Sequence, residues 1–314
     1  VAAPADDVYK DAGKVEATIT KAEGGNFENL ETNPAPAVTD VTDTIDNSTV
    51  SLKATPSAAE GGNVTYTATV TAPVTGSPVV VTLANGEKIT IPVGETTGSV
   101  SISAPNDVLV GHTPLTNSIT NVSGGNYENL VADKTPVSTT VTDTVDTTSV
   151  SLTATGTVAE GGQITYTATL TNAAGTPVTV TLSNGSVIHI EAGKTTGTVT
   201  VAAPADDVYI DAGKVNATIT NATGGNFEKL VTDTTPAVTN VTDTLDTTSV
   251  GISGSASVTE GQTASYTVSL THPAQTEVTL KISYSGTATD GSDFSGVYTV
   301  KIPAGASSAT FNVL

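Results

Sequence analysis

Gln163-Ile164-Thr165-Tyr166-Thr167-Ala168-Thr169-Leu170-Thr171 alternates apolar with polar side chains without a break, and from Thr165 on every polar position is a threonine. Successive side chains of an extended chain point to opposite faces, so this period of two predicts a strand with one face buried and one in water. β-branched threonine suits such a half-buried pleat. The pattern spreads in both directions. Upstream, Thr148 to Thr155 is predicted as a strand, closed by the turn Ala159-Glu160-Gly161-Gly162. Downstream, strands are predicted at 177–182, 187–190, 196–202, 214–221 and 236–242, with Asn184-Gly185 as a tight hairpin turn. No segment has helical periodicity. Seven or eight short strands within a hundred residues predict an all-β fold, an antiparallel β-sandwich of immunoglobulin-like size.

The same text returns at a fixed interval. Thr42-Asp43-Thr44-Ile45-Asp46 recurs at Thr142-Asp143-Thr144-Val145-Asp146 and at Thr242-Asp243-Thr244-Leu245-Asp246, 100 residues apart each time. Length alone predicts about two to three domains; the repeat refines this. Residues 47–146 and 147–246 are complete units. Residues 1–46 differ from 201–246 at 11 of 46 positions and read as the C-terminal half of a unit. Residues 247–314 read as the N-terminal part of another. The expectation is an excerpt from a longer array of sandwiches set end to end as a rod, whose partners are the neighbouring repeats. The two half-units leave sheet edges open, so the isolated chain is expected to fray at its ends or to associate head to tail.

The formal net charge is −20, and all 11 basic residues are lysine. Such a chain is a poor nucleic-acid binder, since phosphate contact needs clustered cations. Acidity favours solubility or the capture of hard cations. There is no cysteine to form a disulfide. No run approaches the roughly 18 apolar residues of a membrane span, so no membrane insertion is expected of this segment.

The acids are placed unevenly. Unit 147–246 holds nine, and six fall in three phrases: Glu160 after the first strand, Asp206, Asp207 and Asp211 in a late loop, and Asp243 and Asp246 at the end of the last strand. Loops alternate between the two ends of a sandwich, so the three phrases can share one end. Converging carboxylates repel, and a hard cation removes that cost. Calcium takes six to eight oxygens in flexible geometry; with no cysteine and only scattered histidines, zinc is a poor candidate. The expected Ca2+ ligands are therefore those six residues, with Asp6, Asp7, Asp11, Asp43 and Asp46 in the first half-unit. Unit 47–146 keeps Glu60, Asp107, Asp143 and Asp146. It has Asn106 and Gly111 where the next unit has Asp206 and Asp211, which predicts fewer ions or weaker binding. The bland alternative is that these are solvated loop acids ending strands.

Glu-Gly after the first strand, the Asp-Asp loop and the terminal Asp cluster together resemble the Calx-β sandwich. The likeness is clearest in Val258-Thr259-Glu260-Gly261, Tyr266-Thr267-Val268-Ser269-Leu270 and Gly286-Thr287-Ala288-Thr289-Asp290-Gly291-Ser292-Asp293-Phe294. That resemblance implies calcium ligands at Glu260 and Asp293. The hundred-residue units, with Ala-Pro-Ala-Asp-Asp-Val-Tyr, Gly-Gly-Asn-Phe-Glu and Val-Thr-Asp-Thr-x-Asp, resemble the extender repeats of LapA-like large RTX-type adhesins of Gram-negative bacteria. The resemblance implies secretion to the bacterial cell surface in association with the outer membrane. It further implies calcium near domain joints and a spacer role that projects an adhesive module for attachment and biofilm formation.

Other patterns point elsewhere less strongly. His112, His189 and His272 share no repeated position, the equivalents being Ala212, Ile89 and Asn172. No serine sits in a nucleophile motif, so no catalytic residue is expected. Gly224-Gly225-Asn226 and its copies read as turns using positive φ. Tyr66, Tyr166 and Tyr266 read as packing residues. A carbohydrate- or protein-binding module on the same surface protein is the main rival reading, and the accessory region of a secreted enzyme is the third.

Overall fold

A computed structural model describes residues 2–3 and 5–314; Val1 and Pro4, at the start of the first half-unit, lie outside the described residues. The described residues form 27 strands and no helix. The chain divides into two compact units, Val1–Thr147 with Phe227–Lys229, and Thr148–Asn226 with Leu230–Leu314.

In the second unit, strand Gln163–Leu170 behaves as its alternation predicts: Ile164, Tyr166, Ala168 and Leu170 are buried, and the threonines between them face outward. It is an inner strand of a four-stranded sheet in the order Thr196–Ala202, Gln163–Leu170, Thr147–Ala154, Lys229–Thr232. The opposing layer is made of two three-stranded sheets. One runs Val187–Ile190, Val178–Leu182, Ile219–Gly224; the other runs Thr157–Ala159, Ala237–Thr242, Gly213–Ala217. Val150, Val178, Val180, Ile188, Ile190 and Ile219 fill the space between the layers. The apolar area they remove from water is the main favourable term in the fold. The same arrangement holds in residues 47–146 of the first unit, around Val64, Tyr66, Val81, Ile89 and Ile91.

Two expectations need correction. The strand expected over 214–221 is two strands, Gly213–Ala217 and Ile219–Gly224, which pair with different neighbours. Thr218 sits at the break, where its N–H bonds to the Ser183 hydroxyl (3.0 Å) and its carbonyl accepts the Ser183 N–H (2.9 Å). The register slips beside it, between Thr181 and Leu182, as a bulge that lets the chain leave one sheet for another. The sandwich is also not purely antiparallel. After Ala154 the first strand crosses to the other layer, and Thr157–Ala159 runs parallel to Ala237–Thr242.

The flanking segments carry parts of the same plan. Residues 13–17 and 37–41 form an antiparallel hairpin in register Gly13↔Val41. In 247–314, Val250–Gly254, Ala264–Leu270 and Ser308–Val313 form one sheet, and Val278–Lys281 with Thr299–Ile302 another. Val268, Val300 and Ile302 form their common core.

Candidate metal centre at the repeat joint

The three acidic phrases meet because of strand register. Thr157–Ala159 pairs parallel with Ala237–Thr242 so that Ala159 faces Thr242, and one step further along sets Glu160 beside Asp243. Gly213–Ala217 pairs antiparallel with the same strand, Gly213 facing Val241, and the same register continued sets Asp211 beside Asp243. The small sheet is therefore the device that gathers residues more than 80 positions apart. Two bonds from backbone N–H groups extend the pairing: Glu160 N–H to the Thr242 carbonyl (3.0 Å) and Asp211 N–H to the Asp243 side-chain Oδ1 (3.1 Å). One oxygen from each of Glu160, Asp211 and Asp243 lies within 4.8 Å of the other two.

Glu160 is the anchor, only 7% exposed. Its two oxygens accept N–H groups from Thr244 (3.1 Å) and Asp207 (3.3 Å). Those bonds hold a charged group in place and leave its remaining lone pairs toward the cluster. Asp207 Oδ1 accepts the Tyr209 N–H (2.7 Å), which shapes the loop, and Asp206 accepts the Thr244 hydroxyl. Asp246 is joined weakly to the same hydroxyl, at 3.4 Å. The donor set is all oxygen, uncompensated by any cationic side chain among the described residues, and it fits a hard dication.

The other expected ligands fall out differently. In the first half-unit the hairpin register sets Asp11 beside Asp43. The Asp7 charge, then burial and Asp43, raise the Asp11 carboxyl above the usual range. Asp6 accepts the Thr44 hydroxyl (2.6 Å) and Asp7 the Tyr9 N–H (2.7 Å). Asp46 and Asp146 take part through backbone N–H groups, described below. Glu260 and Asp293 line one cavity of about 640 Å³ in 247–314, but among the described residues they belong to no three-donor group.

In residues 47–146 the same registers bring Glu60 and Gly111 to Asp143. The Gly111 N–H donates to Asp143 Oδ2 (2.9 Å). Gly111 offers no carboxylate, and the place is taken by His112, whose Nε2 bonds Glu60 Oε1 and lies 4.0 Å from Asp143. The Glu60 side chain is fully buried, and the Thr144 N–H (2.8 Å), with His112 and Asp107 N–H, holds its carboxyl down at about 2. The Glu60 carboxylate in turn raises His112 above the ordinary histidine range. His112 was thus one of the scattered histidines by sequence and is a cluster member by structure. Its signal was faint, a histidine next to a position where the following repeat places an Asp.

Two further acids escaped the sequence reading. Glu128 and Glu228 close the Gly-Gly-Asn-aromatic-Glu phrases. Within the first unit, Glu228 Oε2 accepts the Asp146 N–H (2.6 Å) and Glu128 Oε2 the Asp46 N–H (2.7 Å). Each clamps the linker that closes the preceding repeat. The late loop of the preceding repeat docks on the same phrase. Glu228 N–H bonds the Val108 carbonyl and Glu128 N–H the Val8 carbonyl, both at 3.0 Å. Tyr9 stacks on Tyr127, 5.6 Å between ring centres, and its hydroxyl reaches the Pro73 carbonyl. Within the second unit the Tyr209 hydroxyl makes the equivalent bond to the Pro273 carbonyl (2.8 Å). Glycine is required to turn this phrase: Gly224 has φ +96°, and a Cβ there would run into the Pro177 carbonyl oxygen. Glu228 also joins Glu60 and Asp143 in a second three-oxygen group within 4.8 Å. The Asp146 N–H favours its charged form, but burial and the neighbouring Glu60 carboxylate prevail and raise its carboxyl overall.

A family model for the LapA domain matches the chain four times in succession, over residues 1–44, 46–144, 146–244 and 246–314. No curated protein matches. Among solved structures the chain is similar to the human OSCAR ligand-binding domain at 10% identity, with a TM-score of 0.21, over 55% of this chain and 89% of that one; a likeness that slight carries no argument.

Proposed function

The chain belongs to the LapA domain family, the repeat region of large secreted cell-surface adhesins, and from that premise we propose that it is a calcium-stabilised extender, a spacer that carries an adhesive module away from the cell for surface attachment and biofilm formation. The observation that carries the calcium part is the group Glu160, Asp211 and Asp243, three carboxylates brought within 4.8 Å by the small sheet. Nothing in a passive spacer requires like charges to be gathered in this way, since the repulsion costs stability. Glu160, Asp211 and Asp243 would hold the ion, with Asp206 and Asp207 at its edge. The ion would supply positive charge to a cluster that has no cationic side chain of its own among the described residues. Asp43 with Asp6, Asp7 and Asp11 would do the same at the first joint. A joint with its charges neutralised resists bending, so an array of such joints stays extended.

Small-angle scattering of the whole chain in millimolar calcium and in EDTA tests this. The maximum dimension is expected to be larger and better defined in calcium. Superimposable profiles would refute the calcium-locked spacer. A selective signal on a glycan array, insensitive to calcium, would favour a binding module instead.

A further inference from the structure

We infer that the joint cluster of residues 47–146 is a separate site for a borderline transition dication of the zinc class, held by the His112 imidazole together with Glu60 and Asp107, the ion replacing the proton shared by His112 Nε2 and Glu60 Oε1. This rests on the reading above that the joint clusters are cation sites, and it divides them into two kinds.

Three observations carry it. The first is the donor set. Single ligand atoms of Glu60, Asp107 and His112 lie within 4.8 Å of one another, with Asp143 bordering the imidazole. Glu60 is fully buried and His112 is 11% exposed at its side chain, so the imidazole is held inward rather than in solvent. One nitrogen with carboxylate oxygens suits zinc and its neighbours, whereas calcium seeks oxygens alone.

The second is the set of exchanges between repeats. Asp206, Asp211 and Ala212 of one repeat correspond to Asn106, Gly111 and His112 of the other. Two carboxylates leave the loop and an imidazole enters it, at the position where the Asp211 carboxylate meets Glu160 and Asp243. A loop that merely lost a calcium site would not need a histidine turned onto the buried glutamate. Elsewhere, His189 and His272 are exposed and make only long contacts to threonine hydroxyls, at 3.4 and 3.3 Å.

The third is a polar atom lacking a partner. Glu228 Oε1 is buried and finds no hydrogen-bond donor among the described residues, and Glu228 is a member of the group Glu60, Asp143 and Glu228 that abuts the histidine. A buried acceptor left unsatisfied is costly and rare in native proteins. A cation bound between Glu60 and Glu228 would satisfy it.

The test uses the whole chain freed of metal by chelation, titrated by calorimetry with zinc chloride and separately with calcium chloride. One equivalent of zinc is expected to bind in a way that a hundredfold excess of calcium does not displace. His112→Ala, which installs the residue found at position 212, is expected to weaken that zinc binding at least tenfold, and Asp107→Asn to weaken it measurably. His189→Ala should leave it unchanged. Cobalt(II) substituted for zinc should give visible ligand-field bands that vanish in His112→Ala. Zinc affinity that survives His112→Ala, or that calcium competes away one for one, overturns the inference. Loss of zinc selectivity with calcium heats intact sinks the inference alone. Absence of calcium heats, whatever zinc does, sinks the calcium reading.

Discussion

Asp211→Asn separates an ion site from a solvated acidic loop, because the two readings give opposite signs. Asp211 contributes one of three carboxylates within 4.8 Å, while its backbone N–H, which the substitution keeps, makes the bond to Asp243. Without calcium the change removes repulsion. Two unit charges 4.8 Å apart in water repel by about 0.9 kcal/mol, and salt screens part of this. With Glu160 and Asp243 as neighbours, the variant is expected to be more stable than the parent by roughly 1 kcal/mol in EDTA. With calcium the sign reverses. At a hundred times Kd an ion bound only to the folded state adds about 2.7 kcal/mol, and a site weakened a hundredfold by losing one of three anionic ligands retains about 0.4 kcal/mol of that. The variant then falls below the parent. Hydrogen exchange read on peptides from strand Gln163–Leu170 isolates this repeat from the others, because amide protection reports the local opening free energy. An equal change in calcium and in EDTA would refute the reasoning, since it would mean that Asp211 has no special relation to the ion.

Three further outcomes are expected. Gly224→Ala should destabilise its repeat by about 2 kcal/mol or more in urea unfolding, because it forces a side chain into positive φ and against the Pro177 carbonyl; a change under about 0.5 kcal/mol would contradict the turn assignment. Tyr166→Phe should be neutral or raise the melting temperature, since the hydroxyl of Tyr166 is buried without a partner and its removal relieves a desolvation cost of about 1–3 kcal/mol; a clear loss of stability would show that the hydroxyl is satisfied. Asp133 and Asp233 are held below the usual carboxylate range by the hydroxyl and then the N–H of Thr135 and Thr235. Their folded pKa is depressed, so their contribution is complete above the ordinary Asp value and is lost as pH falls below it toward the depressed values. Asp133→Asn with Asp233→Asn should therefore flatten the acid limb of a circular-dichroism pH titration below about pH 4; an unchanged acid limb would count against the two turns.

The chain written as text already determined the all-β class, because a period of two in Gln163 to Thr171 is a property of neighbours along the chain and needs no fold to be seen. The hundred-residue repeat and the positive-φ turns at Gly224-Gly225-Asn226 were legible for the same reason. That Glu160, Asp211 and Asp243 come together is expected from loops sharing an end, but the means lay elsewhere. It required the crossing of Thr157–Ala159 to the second layer and the splitting of 214–221 at Thr218, and both depend on which strand offers a free edge. Only tertiary structure decided that His112 turns inward onto Glu60, since an isolated histidine in a loop has no local preference between solvent and a buried carboxylate. The same holds for Glu128 and Glu228. Their text shows a glutamate after a turn, while their role comes from the linker amide of the preceding repeat, 82 residues away. Periodicity is written by each residue's immediate neighbours, whereas a site is written by register between distant strands, and register is settled only when the sheets form.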